Sequence, residues 1–265
     1  MTQAMPGRTR THGGLTVRQF PCLSDNYGFL VRDDASGAVA AVDTPDAKAI
    51  VAQAEALGWW VTHILNTHWH PDHTGGNAAL KARYDCEVVG PAKEADRIPE
   101  HTRLVAGGDE VALGTAKAGV LDVGGHTAGH VAYRFDGVCF VGDALFSLGC
   151  GRLFEGTPQQ MWASLSRLRA LPPETVVYCA HEYTAANADF AVSVDPGNAK
   201  LAERRAEVVR LREAGEPTVP VRLGEELPVN PFLRADDAGI AAQVGLPGAP
   251  PAEVFAEVRR RKDAF

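Results

Sequence analysis

The sequence predicts an α/β domain followed by a small, mostly helical one. Three observations carry that reading. Over the first two thirds, short apolar runs alternate with turn signals and helical stretches. After about Tyr183 the pattern changes to charged helical segments joined by Pro- and Gly-rich linkers such as "GEPTVP" and "VGLPGAPP". Polar donor side chains recur just after the apolar runs, where a rigid scaffold aims its chemistry. We divide the chain into a tail (1–14), a catalytic domain (15–183) and a helical substrate-binding domain (184–265).

The elements follow in order. "LTVRQF", "YGFLVR" and "AVAAVD" read as strands. "DAKAIVAQAEAL" reads as a helix with Asp46 as its N-cap. "VTHIL" is the next strand, and Asn77 to Tyr84 is helical in character. "AGVLDV", "HVAYRF" and "VCFVGD" are strands, the last two joined by an Asp136-Gly137 hairpin turn. "TPQQMWASLSRLRAL" is a helix with a capping box of Thr157 and Gln160 around Pro158. "TVVYCA" is a further strand, and "NAKLAERRAEVVRLREAG" and "PAEVFAEVRRRKDAF" are helices.

Composition narrows the function. The chain has 265 residues, 45% hydrophobic and 22% charged, as ordinary globular domains are. A net charge of −7 disfavours nucleic-acid and anionic-membrane partners, and no apolar run is long enough to span a bilayer. Arg8 and Arg10 lie in a segment without an apolar core, so the N-terminus is not a secretory signal. Cys22, Cys86, Cys139, Cys150 and Cys179 are scattered and form no CxxC pair. That pattern fits reduced thiols in the cytoplasm and argues against a disulfide framework or a thiolate metal site.

The chemistry concentrates in "THWHPDHTGG", where His68, His70, Asp72 and His73 lie close together after an apolar strand. His68 and His70 are two apart, so an extended segment points them the same way. Pro71 then biases the chain into a turn, and Gly75 and Gly76 allow a tight entry into the next helix. Such clustering points to a metal, since imidazole is the commonest transition-metal ligand. Further donors stand at later strand ends: His126 in "GGHTAGH", Asp143 in "FVGDALF" and His181 in "YCAHEYT". A lone histidine is more often structural, and His12, His63, His101 and His130 are read so. Five histidines and two aspartates exceed one tetrahedral site and suit two ions sharing a carboxylate.

These residues resemble the metallo-β-lactamase superfamily, whose first motif has the form THxHxDH, and within it the glyoxalase II (hydroxyacylglutathione hydrolase) family. The resemblance extends over "SDNYGFLV", "HTAGH", "GCGRLFEGT", "LPPETVVYCAHEYT", "VDPGNA", "NPFLR" and the terminal "VRRRKDAF". It implies an αββα sandwich with a C-terminal helical domain. It implies that His68, His70 and His126 hold one divalent ion, that Asp72, His73 and His181 hold a second, and that Asp143 bridges them. The resemblance implies zinc, iron or manganese; zinc is the first expectation, although a mixed nitrogen and oxygen set without thiolate does not itself choose among the three. Asp72 and Asp143 would be the catalytic carboxylates, acting with a water activated by the ions.

For a small-molecule glutathione thioester, the resemblance points to Arg152, Phe154, Tyr183, Arg259 and Lys262. Arg152 stands where the family usually has lysine, Phe154 where it often has tyrosine, and Ala144 where threonine is common. The expected reaction is hydrolysis of an S-2-hydroxyacylglutathione by a cytoplasmic monomer. A mononuclear-iron glutathione persulfide dioxygenase, a nuclease and a non-catalytic metal-binding module are the rivals. The complete second donor set opposes the first, and the acidic balance opposes the second.

Overall fold

The computed structural model describes residues 7–265, which divide into two compact units. The first unit comprises the described residues up to Asp122 together with Ala128–Gly142; the second comprises Val123–Thr127 and Asp143–Phe265. Residues 1–6 of the expected tail lie outside the described residues. The rest of that tail is not frayed: Arg8–His12 is an edge strand paired antiparallel with Leu15–Cys22 across a Gly13-Gly14 turn.

In the first unit, seven strands form one sheet in chain order: β1 (Arg8–His12), β2 (Leu15–Cys22), β3 (Asn26–Asp33), β4 (Val39–Val42), β5 (Val61–Leu65), β6 (Glu87–Pro91) and β7 (Arg103–Val105). β1 to β4 run antiparallel and β4 to β7 parallel; β4 passes to β5 through helix α1 (Ala47–Leu57), β5 to β6 through α2 (Pro71–Thr74) and α3 (Asn77–Tyr84), and β6 to β7 through the short 3-10 turn Ala92–Arg97. Asp46 caps α1 by accepting the amides of Lys48 and Ala49 at 2.9 and 3.2 Å. Ile50, Ala54 and Leu80 on the helices are buried with Leu30, Val39, Ile64 and Val88 of the sheet. Each large apolar side chain so buried contributes about 1.5–3 kcal/mol.

The remaining strands of this unit, β8 (Glu110–Leu113), β9 (Ala116–Asp122), β10 (Val131–Phe135) and β11 (Val138–Gly142), form an antiparallel meander. It packs on the first sheet. The Phe29 and Phe140 rings meet edge-on at 5.6 Å, and the buried Tyr133 hydroxyl donates to the Asn66 carbonyl at 2.9 Å. Helix, sheet and facing sheet are the layers expected of the sandwich.

The second unit carries two short hairpin strands, β12 (Leu145–Phe146) and β13 (Gly149–Cys150), then α4 (Pro158–Arg169) and β14 (Val176–Cys179). α5 (Thr184–Val194), α6 (Ala199–Glu213), β15 (Val221–Arg222), α7 (Leu223–Glu226), α8 (Ala238–Gln243) and α9 (Pro251–Ala264) complete it. The predicted capping box on α4 forms: the Thr157 hydroxyl accepts Gln160 N at 3.2 Å and the Gln160 side chain accepts Thr157 N at 2.8 Å. α5 was not anticipated, because its sequence TAANADFAVSV lacks a clear helical apolar stripe. Tertiary burial decides it: Ala188, Phe190, Ala191 and Val194 are all buried. Among the described residues, no helix is long and apolar enough to cross a membrane.

Candidate metal centre

The first donor group follows β5. Pro71 opens the short helix α2 at its first position, so Asp72 and His73 leave the strand end on a helical turn. The ligand atoms of His68 and His70, of His68 and His73, and of Asp72 and His73 lie within 4.8 Å of each other. His68 Nε2 and His70 Nδ1 are 3.0 Å apart. That is near the ~3.3 Å expected of two nitrogens each 2.0–2.1 Å from one tetrahedral ion.

Asp43 orients this group. It ends β4's run with a left-handed φ of 58° and is buried. Its Oδ1 accepts the Thr67 amide at 2.8 Å; its Oδ2 accepts the Thr67 hydroxyl at 2.9 Å and faces His73 Nδ1 at 2.8 Å. His73 therefore carries its proton on Nδ1 and turns Nε2, 3.5 Å from Asp72 Oδ2, toward a ligand role. The Thr67 hydroxyl has given its one proton to Asp43, so its oxygen accepts from His68 Nδ1 at 3.0 Å. His68 Nε2 is then the lone-pair nitrogen. Gly142, at φ 50°, makes room for this arrangement: a Cβ there would lie 2.5 Å from Thr67 Oγ1 and 2.8 Å from His130.

The second unit holds its own three donors. Asp143 is buried, with His126 Nε2 3.5 Å from one carboxylate oxygen and His181 Nε2 3.4 Å from the other. His126 donates Nδ1–H to the Arg152 carbonyl at 2.8 Å, which leaves Nε2 as its acceptor nitrogen. One carboxylate facing a histidine on each side is the arrangement a bridging ligand requires.

The donor set fits divalent transition ions. It is imidazole and carboxylate without thiolate, and the hydrogen bonds at His68, His73 and His126 fix the tautomers that ligation needs. No cysteine competes as a nucleophile. All five are buried, and burial pushes Cys150 up to about 11 and Cys139 up to about 12.

The predicted substrate residues all belong to the second unit, in different settings. Phe154 is 62% exposed and stands edge-on to His126 at 5.2 Å. Tyr183 stacks on His181 and takes the edge of Phe146. Arg152 is exposed, 4.0 Å from Asp263. Arg259 is buried: it donates to the Cys150 carbonyl at 3.0 Å, pairs with Asp263 at 2.8 Å and lies over the Phe232 ring. Lys262 donates to the Ala186 carbonyl at 2.9 Å, and burial together with neighbouring Arg259 pulls its ammonium below the ordinary lysine range.

Sequence reasoning missed Asp43, although it carries the same signal as Asp143, a carboxylate directly after an apolar strand. Glu94 and Glu226, both buried acids, were missed because neither adjoins a motif.

Residues 40–181 match the profile of the metallo-beta-lactamase superfamily, and residues 182–265 match that of the hydroxyacylglutathione hydrolase C-terminus. A hydroxyacylglutathione hydrolase of Erythrobacter litoralis is 54% identical over 253 residues, which cover 95% of this chain and 100% of that protein. The chain belongs to the hydroxyacylglutathione hydrolase family. Another member, from Methylococcus capsulatus, is 55% identical over 95% of this chain and 99% of its own. This hydroxyacylglutathione hydrolase family member also resembles solved structures. ETHE1 from Myxococcus xanthus has a TM-score of 0.63 at 25% identity, covering 98% of this chain and 99% of that one. TTHA1623, solved in a di-iron-bound form, has a TM-score of 0.52 at 30% identity, covering 59% of this chain and 87% of that one. The family is one of enzymes, its fold implies divalent-metal binding, and the relatives' shared name favours the hydrolase over the rival readings.

Proposed function

We propose that this protein cleaves the thioester of S-2-hydroxyacylglutathiones, such as S-lactoylglutathione, to glutathione and a 2-hydroxy acid. The observation that carries the reading is Asp143 set between His126 and His181, one histidine at each carboxylate oxygen. The family region 40–181 contains this trio and the His68–His73 group, which supports a single centre built from all seven donors. His68, His70 and His126 would hold one ion, Asp72, His73 and His181 the other, with Asp143 shared. Zinc is the expected metal, with iron or manganese accepted by the same donors.

When bound, the two ions supply a nucleophilic water at neutral pH and Lewis acidity at the thioester carbonyl. The chain's residues do the positioning. Asp43 and the Arg152 carbonyl hold the imidazoles in their ligating tautomers. Asp72, only part-buried, has the exposure to orient the attacking water as well as to ligate. Thiolate departure needs little protonation, so no separate general acid is required. Arg152, Phe154, Tyr183, Arg259 and Lys262 bind the glutathione part; Phe154 contributes contact area but no hydroxyl. Residues 15–183, joined by the edge strand Arg8–His12, would serve as the catalytic domain and 184–265 as the substrate-binding one, in a monomer working in the cytoplasm.

Elemental analysis of purified protein, run alongside hydrolysis of S-lactoylglutathione, tests the reading. About two ions per chain and metal-dependent thiol release are expected. Saturation of activity at one ion would defeat the dinuclear centre; full activity after chelation would defeat metal catalysis altogether.

A further inference from the structure

We propose that Glu94 is a positioning residue for the first donor loop: its buried carboxylate fixes Trp69, and through it His68 and His70. The inference rests on the metal reading above, but its observations are separate. Glu94 is 1% exposed, in a short 3-10 turn (Ala92–Arg97) whose backbone leaves helical geometry at Glu94 itself, with φ −121°. Its Oε2 accepts the Trp69 amide at 2.9 Å and its Oε1 accepts the Gly129 amide at 2.8 Å. The two oxygens thus tie together two loops remote in sequence. Trp69 is flanked by His68 and His70. Gly129 precedes His130, whose ring stacks on His68 at 4.5 Å and 17°.

The same turn holds the Trp69 ring. The Arg97 guanidinium lies over it at 4.3 Å, and the ring meets His70 at 4.6 Å and 67°. Trp69 is therefore gripped by its backbone through Glu94 and by its ring through Arg97, with a donor histidine on each side. Gly129 is what admits the carboxylate so close: a Cβ there would lie 2.7 Å from Glu94 Cγ. A buried carboxylate is costly without hydrogen-bond donors, and here backbone amides of both loops serve.

Glu94→Gln separates positioning from bulk. The side chain keeps its size, but a glutamine has one acceptor oxygen, so one backbone N–H must face an amide N–H. The experiment compares wild type and variant by competition with a chromophoric zinc chelator, and by the visible spectrum of the Co(II)-loaded protein. A 10–100-fold weaker affinity for one ion is expected, as for loss of other outer partners of metal-bound histidine, with shifted Co(II) bands and wild-type far-UV circular dichroism. Unchanged affinity and bands, with only a lower Tm, would overturn the proposal. Should Glu94→Gln not fold, Arg97→Leu removes the grip on the ring from an exposed position. It should weaken affinity in the same direction by a smaller factor, and unchanged affinity and bands there would likewise overturn the proposal. A wild type that binds no zinc overturns the metal centre itself; a wild type that binds, with indifferent variants, overturns only the role of Glu94.

Discussion

Tyr183 lies flat on His181, the ring centroids 4.7 Å apart and the planes within 4° of parallel. One side chain expected to touch substrate thus also restrains a histidine proposed as a metal donor. The two roles are separable. Tyr183→Phe keeps the stack and loses the hydroxyl, so metal content should hold while KM for the glutathione thioester rises. Tyr183→Ala also removes aromatic packing worth about 0.5–1.5 kcal/mol, so His181 is freer and metal affinity should fall. Equal metal affinity in the alanine and phenylalanine variants would show that the stack does not restrain the histidine.

Asp143→Asn tests the bridge. The amide has one acceptor oxygen and no charge, whereas Asp143 faces a histidine from each oxygen. Both ions should bind more weakly and hydrolysis should fall by orders of magnitude, with the fold retained. Wild-type stoichiometry and rate in this variant would mean that another residue bridges.

These two tests concern what was legible in the sequence, and the reason it was legible is physical. His68, His70, Asp72, His73, His126, Asp143 and His181 each follow an apolar run or a glycine turn, so pattern offers them together as candidate donors, while the role of each is what the family resemblance implies. Eight strands showed for the same reason, as continuous or alternating apolar runs. β7, β12, β13 and β15 did not, because two or three residues carry no period, and β1, β6 and β8 did not, because "RTRTH" has no apolar residue, "EVVGP" ends in turn residues and "EVAL" is a single short alternation. Asp43 and Glu94 act through partners far away in the chain, and no local spacing reports that. The "VRRRKDAF" terminus read as one basic cluster, yet the fold divides it: Arg259 is turned inward, while Arg260 reaches Glu257 on an exposed face.

That division predicts different outcomes for Arg259 and Lys262. Arg259→Ala strips the Cys150 carbonyl and Asp263 of a donor and removes packing over Phe232. It should cost on the order of 2 kcal/mol of stability, read as a lower urea midpoint, besides any effect on substrate. Lys262→Ala removes a half-buried ammonium bonded to one carbonyl, and should act mainly on KM, with kcat and metal content nearly unchanged. A small thioester lacking glutathione should be hydrolysed equally by wild type and Lys262→Ala. If Lys262→Ala changes both substrates alike, the lysine has no part in glutathione recognition.

Glu226 offers a pH test away from the donors. It is fully buried and accepts the Ser147 hydroxyl at 2.6 Å, the Leu148 amide at 2.7 Å and Asn230 Nδ2 at 3.1 Å. Burial raises its carboxyl above the ordinary value, outweighing these hydrogen bonds and the nearby Arg204 charge. A raised folded-state pKa means that the native state holds the proton more tightly than the unfolded chain. The associated stability is present below the ordinary glutamate value and is lost as pH rises through the raised one. Glu226→Gln has no such titration. Its oxygen can accept from Leu148 and Asn230, and its NH2 can donate to the Ser147 oxygen once that hydroxyl rotates. Relative to wild type, the variant should therefore gain stability as pH rises from 4 to 7, with urea midpoints measured at several pH values as the check. A difference that stays constant across that range would mean that Glu226 titrates alike in the folded and unfolded chains. A difference that shrinks would mean that its donors hold the carboxylate charged, against the effect of burial.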